Sequence, residues 1–207
     1  MILAIKNNCL DKILNTGERK FYRKGECIYR QDEVCQDTFY FLVKGLVKIS
    51  CVDQRGGEAI IDIVSPNNIF GEQAANGTTY FSTAEAYENS VVYSLSVHKA
   101  RKLIESDHEF RMFIYNGLRE KLKLLSKRLV IQSLPSETIL ATALIELQEK
   151  MGQNPFPMMQ KDLCKYTTLN RTTIYNIVKK WQDHLIRIHN QEIHILDFIQ
   201  LKKISNM

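Results

Sequence analysis

From His98 to Leu134 the chain changes its period. Prolines vanish until Pro135, Gly117 is the only glycine, and Ile114, Leu118, Leu122, Leu125 and Leu129 follow one another at spacings of 4, 4, 3 and 4. That is one stripe along a long helix. Phe110, Phe113, Gly117, Leu124 and Ile131 fall on the neighbouring faces. So wide an apolar surface exceeds what one small β-domain covers. One face is therefore expected to pack on strands and the other on a second copy of the same helix, since a symmetric dimer is the commonest closed arrangement. A helix buried within a single monomer is the alternative.

The strands precede it. The run FYFLVKGLVKISCV (39–52) is apolar and β-branched, and Gly45 interrupts it as a turn or bulge would. Asp53-Gln54-Arg55-Gly56-Gly57 is a hairpin signal and is followed by the strand AIIDIV (59–64). Pro66-Asn67-Asn68 is another turn, and VVYSLSV (91–97) is a further strand. Short strands at intervals of roughly ten residues point to a barrel, sandwich or roll.

After the helix, Leu134-Pro135-Ser136 punctuates the chain, and Ser136 is placed to cap a helix over 137–151. A loop, Gly152 to Pro157, leads to two short helices, about 159–166 and 170–184, separated at Thr167-Thr168. LIRIHNQEIHIL then alternates like a small hairpin. Helix, short turn, helix and hairpin make a winged helix-turn-helix, whose second helix enters the DNA major groove by its first turn. The residue types suit that position. Asn170 caps the helix, and Arg171 has the fork for a guanine edge or a phosphate. Thr172 and Thr173 suit phosphate or a thymine methyl, and Asn176 suits adenine. Tyr175 and Lys179 form a flank for the backbone, while Ile174, Ile177, Val178 and Trp181 make the apolar back. A helical hairpin with a polar surface, Asn170 serving only as its cap, is the alternative on pattern alone.

The net charge of +5 is unevenly spread. Residues 1–100 carry 11 basic and 12 acidic side chains, residues 101–135 carry 8 and 4, and residues 136–207 carry 9 and 7. The basic excess lies where an anionic partner is expected. No apolar run reaches the length of a membrane span, and MILAIKNNCLDKIL is too polar for a signal peptide. Five scattered cysteines, Cys9, Cys27, Cys35, Cys51 and Cys164, argue for a reducing cytoplasm rather than a disulfide framework. The first hundred residues hold one histidine, His98, which argues against a metalloenzyme built on a β-roll. His184, His189 and His194 are placed in and around the hairpin, and no metal site is expected of them.

The chain from Leu10 to Ile199 resembles the CRP/FNR family of bacterial transcription regulators. FYRKGECIYRQDE (21–33), FYFLVKGLVKI (39–49), the turn IFGE (69–72), the long helix to Leu134 and DLCKYTTLNRTTIYNIVKKWQDHLI (162–186) carry the likeness, in the family's order and spacing. The resemblance implies an α+β protein. Residues 1–100 would form a β-roll sensor domain of the cyclic-nucleotide-binding jelly-roll type, 101–134 a dimerisation helix, and 135–207 a winged helix-turn-helix. It also implies no enzyme, but a cytoplasmic homodimer on a palindromic promoter site in double-stranded DNA, with half-sites about one helical turn apart. RNA polymerase would be a further partner, facing the regions matching Gly152–Pro157 and Asp53–Glu58.

The likeness has departures. Cyclic-AMP-binding members carry Gly-Glu and then Arg-Ser in the phosphate turn. Here Gly71-Glu72 is present, but Thr78 to Thr83 contains no arginine, leaving Gly71, Glu72, Ser82 and Thr83 as candidate effector-pocket residues. A buried phosphate without a cation is costly. Where the family's helix offers a hydroxyl to the purine, Leu124 and Leu125 stand, with only Ser126 near. Control by cyclic AMP is therefore not expected. The cysteine spacing matches no iron–sulfur cluster, and no cofactor is expected. Thr172 stands where many members have a cytosine-reading glutamate, and Asn176 where an arginine often reads guanine, so an A·T-richer half-site is expected. A cyclic-nucleotide regulator with a divergent pocket, and a thiol-based redox regulator, are the other readings. The effector is left open.

Overall fold

The computed structural model describes residues 7–75 and 77–205. It divides into two compact units. The first runs up to Gly57 and resumes over Ile61–Leu124; the second takes Glu58–Ile60 and everything from Leu125 onward.

The first unit opens with α1 (Asn7–Thr16) and continues through β1 (Glu18–Tyr22), β2 (Cys27–Tyr29), β3 (Thr38–Lys44), β4 (Val47–Val52), β5 (Glu58–Val64, whose first three residues fall in the second unit), β6 (Asn68–Phe70), β7 (Thr83–Ala86) and β8 (Ser90–Ser96). They form two antiparallel sheets, ordered β1-β8-β3-β6 and β2-β7-β4-β5. The roll expected from the strand spacing is present. Its inner layer is aromatic: Tyr29, Tyr40, Phe70 and Tyr80 are buried together. The outer side of β3 is covered as well, because Phe41 meets Phe113 edge-on, with ring centres 6.1 Å apart. Burial on both faces explains why β3 reads as a continuous apolar run rather than an alternation. Gly45 joins β3 to β4 at φ +88, and a Cβ there would lie 2.4 Å from Ser90 Oγ and 2.5 Å from Asn89 O. No other residue fits that turn.

The helix expected to run on from His98 is two helices, α2 (Val97–Ser106) and α3 (His108–Ile131). The break falls at Asp107, which is extended at φ −124 and ψ 110. Its carboxylate accepts from Phe110 N at 2.8 Å and pairs with Lys12 of α1. The aspartate thus caps the new helix and ties its start to the roll, a stronger pull than continuing one uninterrupted helix. That pairing also holds the Asp107 carboxyl below the usual carboxylate range. The α3 helix continues from the first unit into the second.

The second unit contains α4 (Ser136–Met151), β9 (Phe156–Pro157), α5 (Gln160–Thr167), α6 (Arg171–Trp181), β10 (Ile186–His189), β11 (Glu192–Ile195) and α7 (Phe198–Ile204). Leu140, Leu144, Phe156, Leu163, Ile174, Trp181, Ile193 and Leu201 form its interior. Ser136 does not cap α4: the N-cap is Pro135, without a side-chain bond, and Ser136 is already helical. The stretch expected as a loop yields β9, a third strand beside β11. Asn154 clamps it, donating to Ile195 O and accepting from Ile195 N, both at 2.9 Å. His189 pairs with Glu192 at the hairpin end, whereas His194 lies two rungs back, opposite Arg187.

Candidate nucleic-acid interface

The candidate interface is assembled around the turn between α5 and α6. Thr167 donates to Leu163 O at 2.7 Å, and Thr168 turns the chain at φ +60. Asn170 then starts α6, its side-chain oxygen accepting from Thr173 N at 2.7 Å. The Asn170→Ala variant is expected to lower stability by about 1 kcal/mol, read from a urea melt followed by circular dichroism.

Ile174, Ile177 and Trp181 are buried in the unit's interior. That fixes which side of α6 faces out. Thr172, Tyr175, Asn176 and Lys179 are exposed at i, i+3, i+4 and i+7, so they form one stripe, and Arg171 is exposed at its head. Thr173 is only half-exposed and lies at the edge of that stripe. Lys180 points elsewhere and donates to Glu137 of α4 at 2.9 Å. Arg171 lies close enough to Cys164 for its charge to oppose the upward push that burial gives that thiol. An exposed arginine, hydroxyl, amide and phenol on one 11-residue helix is chemistry for a polyanion with readable edges.

The exposed side of α3 carries a second surface. Tyr115, Leu118, Leu122, Leu125 and Leu129 are 60%, 46%, 67%, 44% and 73% exposed. Their spacings of 3, 4, 3 and 4 match a helix-pairing seam. Ile114 is not on it; that residue packs against the core of the first unit. Tyr115 takes the place expected for Ile114.

The candidate effector residues are only partly brought together. Gly71 turns at φ +77, with a Cβ there only 2.7 Å from the Tyr40 ring. Glu72 opens a short 3-10 turn (Glu72–Ala75) and pairs with Lys121 of α3, which also donates to Ile69 O at 2.8 Å. Ser82 is fully buried and accepts from Gln73 Nε2 at 2.8 Å. Gln73 also donates to the Tyr29 hydroxyl at 3.2 Å and accepts from Phe81 N at 2.8 Å. Thr83 lies apart, its hydroxyl taken by Gln31 N at 3.0 Å. Tyr29 stacks on Tyr80 at 4.2 Å and Tyr40 on Phe70 at 5.2 Å. Burial keeps the Tyr29 and Tyr40 phenols neutral, well above their ordinary pKa.

Sequence reasoning missed Gln73, Tyr29, Tyr80 and Lys121 as members of this cluster. Lys121 had a signal. It follows Ile114 by seven residues and Gly117 by four, so it belongs to the core-facing seam of α3, where a lysine needs an acid.

Among the described residues no three His, Cys, Asp or Glu side chains come together as metal ligands. Cys27, Cys35, Cys51 and Cys164 all have thiols pushed up by burial, the reverse of a reactive thiolate. The side chain of Cys9 lies outside the described residues. No described helix is long and apolar enough to cross a membrane.

The described residues thus comprise a β-roll, a long helix and a winged helix-turn-helix. Residues 19–107 match the family model described as the cyclic nucleotide-binding domain. The transcriptional activator protein anr of Pseudomonas aeruginosa is 24% identical over 93% of this chain and 81% of its own length. The cAMP-activated global transcriptional regulator CRP of Haemophilus influenzae is 24% identical over 75% of this chain and 74% of its own. The solved structure of FixK2 from Bradyrhizobium japonicum superposes with a TM-score of 0.80 at 19% identity, covering 92% of this chain and 98% of that one. Along most of its length the chain is thus similar to transcription regulators of the CRP/FNR kind.

Proposed function

We propose that the protein binds double-stranded DNA as a homodimer, on a palindromic promoter site, and that cyclic AMP does not control it. The observation that carries this reading is the outward stripe of α6, with Arg171, Thr172, Tyr175, Asn176 and Lys179 exposed while the opposite side is buried. The apolar seam on α3 supports the dimer, since two readers related by a two-fold axis match a palindrome. Arg171 supplies the guanine or phosphate contact, Asn176 an adenine contact, and Thr172 a thymine methyl or phosphate contact. The half-site is A·T-richer than those the family commonly reads.

Two relatives point to different control. The Haemophilus protein is named as cAMP-activated, and a solved relative, CLP of Xanthomonas campestris, is described as c-di-GMP responsive. The family therefore does not fix the effector. In this chain Glu72 is already paired with Lys121, Ser82 is already bonded to Gln73, and buried tyrosine rings stack beside them. Nothing in Thr78–Thr83 supplies a cation for a phosphate. Millimolar cyclic AMP is expected to leave the melting temperature unchanged. At a thousandfold excess over its Kd, a working site would add about 4 kcal/mol, a shift of several degrees. A dose-dependent rise would revive a cyclic-nucleotide regulator with a divergent pocket.

The thiols of Cys27, Cys35, Cys51 and Cys164, pushed up by burial, do not favour a thiol sensor at those residues, and the cysteine spacing does not favour an iron–sulfur cluster. The protein works as a regulator rather than an enzyme, in the cytoplasm, with RNA polymerase as its further partner. The deciding experiment is selection from randomised duplex DNA with the purified protein and no added ligand. A recovered two-fold symmetric site is expected. Recovery of no enriched sequence would count against a reader that works without an effector.

A further inference from the structure

Arg128 sits near the end of α3, one residue before Leu129, the last residue of the apolar seam. Its Nη1 donates to Ile60 O at 3.0 Å. Its guanidinium carbon lies 4.1 Å from the centre of the Tyr166 ring. Its Nη2 is 3.8 Å from Glu146 Oε1, and the Tyr166 hydroxyl donates to that same carboxylate oxygen. The Arg128 and Glu146 side chains are only 20% and 14% exposed. Three side chains from α3, α4 and α5 therefore close a ring of ion pair, stacking and hydrogen bond. All of them, and Ile60, belong to the second unit.

The placement matters more than the strength. Tyr166 is in the last turn of α5, two residues before the left-handed Thr168 and four before Asn170, which caps α6. Moving the Tyr166 ring moves the residues that set where α6 begins. A half-buried ion pair adds little net stability, because desolvation offsets its attraction, but it penalises every arrangement that leaves a partner unpaired. Only a planar fork can stack on a ring, face a carboxylate and reach a carbonyl together; an ammonium at the same place keeps the charge and loses that geometry. Lys165, the neighbour of Tyr166, is tied to Glu58 in the same unit, so α5 is held at two successive residues.

We propose that Arg128 is a positioning residue: through Tyr166 and Glu146 it fixes α6 relative to the end of α3, and so the separation of the two α6 helices in the dimer. This rests on the DNA-binding reading above. Its signature is spacing discrimination, which a merely stabilising contact does not alter.

The test uses the full chain and three duplexes: the selected palindrome, the same site with one base pair added at its centre, and a duplex with one half-site scrambled. Arg128→Lys is expected to weaken binding to the palindrome about tenfold, the size of a typical coupling between sites. Affinity for the single half-site should be unchanged, and the preference for the correct spacing should shrink. Tyr166→Phe keeps the ring on the guanidinium but loses the bond to Glu146; it should move spacing preference in the same direction, and it answers the question if Arg128→Lys folds poorly. Equal losses on palindrome and half-site, or an intact spacing preference in both variants, would overturn the proposal. A wild-type protein that binds none of the duplexes would instead overturn the DNA-binding reading, and this inference with it.

Discussion

Replacing Leu122 and Leu125 by glutamate is expected to give a monomer that no longer holds a palindromic site. Both side chains lie on the exposed seam of α3, 67% and 44% open to water in the single chain. The helix has 24 residues and is about 36 Å long, enough for three heptads of pairing. In a dimer the two glutamates of each helix would face those of the other. Burying even one charge without a partner costs about 3–5 kcal/mol, and like charges across the seam add to it. That exceeds what one seam of this length supplies beyond the cost of association. Sedimentation equilibrium should show half the wild-type mass, and a gel shift should lose the specific band. Because both side chains are exposed in the single chain, circular dichroism should be unchanged. A variant that keeps the dimer mass would show that the seam is not the dimer contact.

Arg171→Ala should produce the second large loss. The side chain is exposed at the head of α6, beside the helix N-terminus, where the backbone itself favours phosphate. One arginine contact to a base is worth about 1–3 kcal/mol, and a two-fold symmetric dimer makes it twice. A fall in specific affinity of at least about thirtyfold is expected in a titrated gel shift. The affinity for unrelated duplex should change far less if the contact is to a base edge, and by a similar factor if it is to phosphate. Unchanged binding to the selected site would mean that α6 does not enter the groove by its first turn.

The parts of the fold that could be read from the residues share a physical cause. β3, β4, β5 and β8 are buried strongly enough to need unbroken or near-alternating apolar runs, so their pattern is visible. β1 is not: of Glu18 to Tyr22 only Tyr22 is even half-buried, and a strand on the edge of its sheet carries little pattern. The break between α2 and α3 has no proline or glycine to mark it. It depends on Asp107 finding both Phe110 N and Lys12, and the second partner is 95 residues away. Helix α6 was legible as a helix because its determinants are local: a capping asparagine, a period of 3.6, and polar residues on one face. The aromatic contacts inside the roll were not. Gly71-Glu72 advertises a phosphate turn, but Glu72 is paired with Lys121, and the tyrosines packed nearby come from distant parts of the chain. Ile114 illustrates the same limit at finer scale. On a helix with two apolar faces, spacing alone does not say which face turns inward.

Trp181 is the only tryptophan of the chain, and it lies 1% exposed on the buried side of α6. Tyr29, Tyr40 and Tyr80 are in the other unit. The indole is therefore a built-in optical probe of the reader alone. Its emission follows the loss of packing behind α6, while far-ultraviolet dichroism follows both units at once. Coincident melting curves would mean that the chain unfolds as one cooperative body. Curves that separate would show the reader and the roll melting as independent bodies, with no labelling of the protein at all.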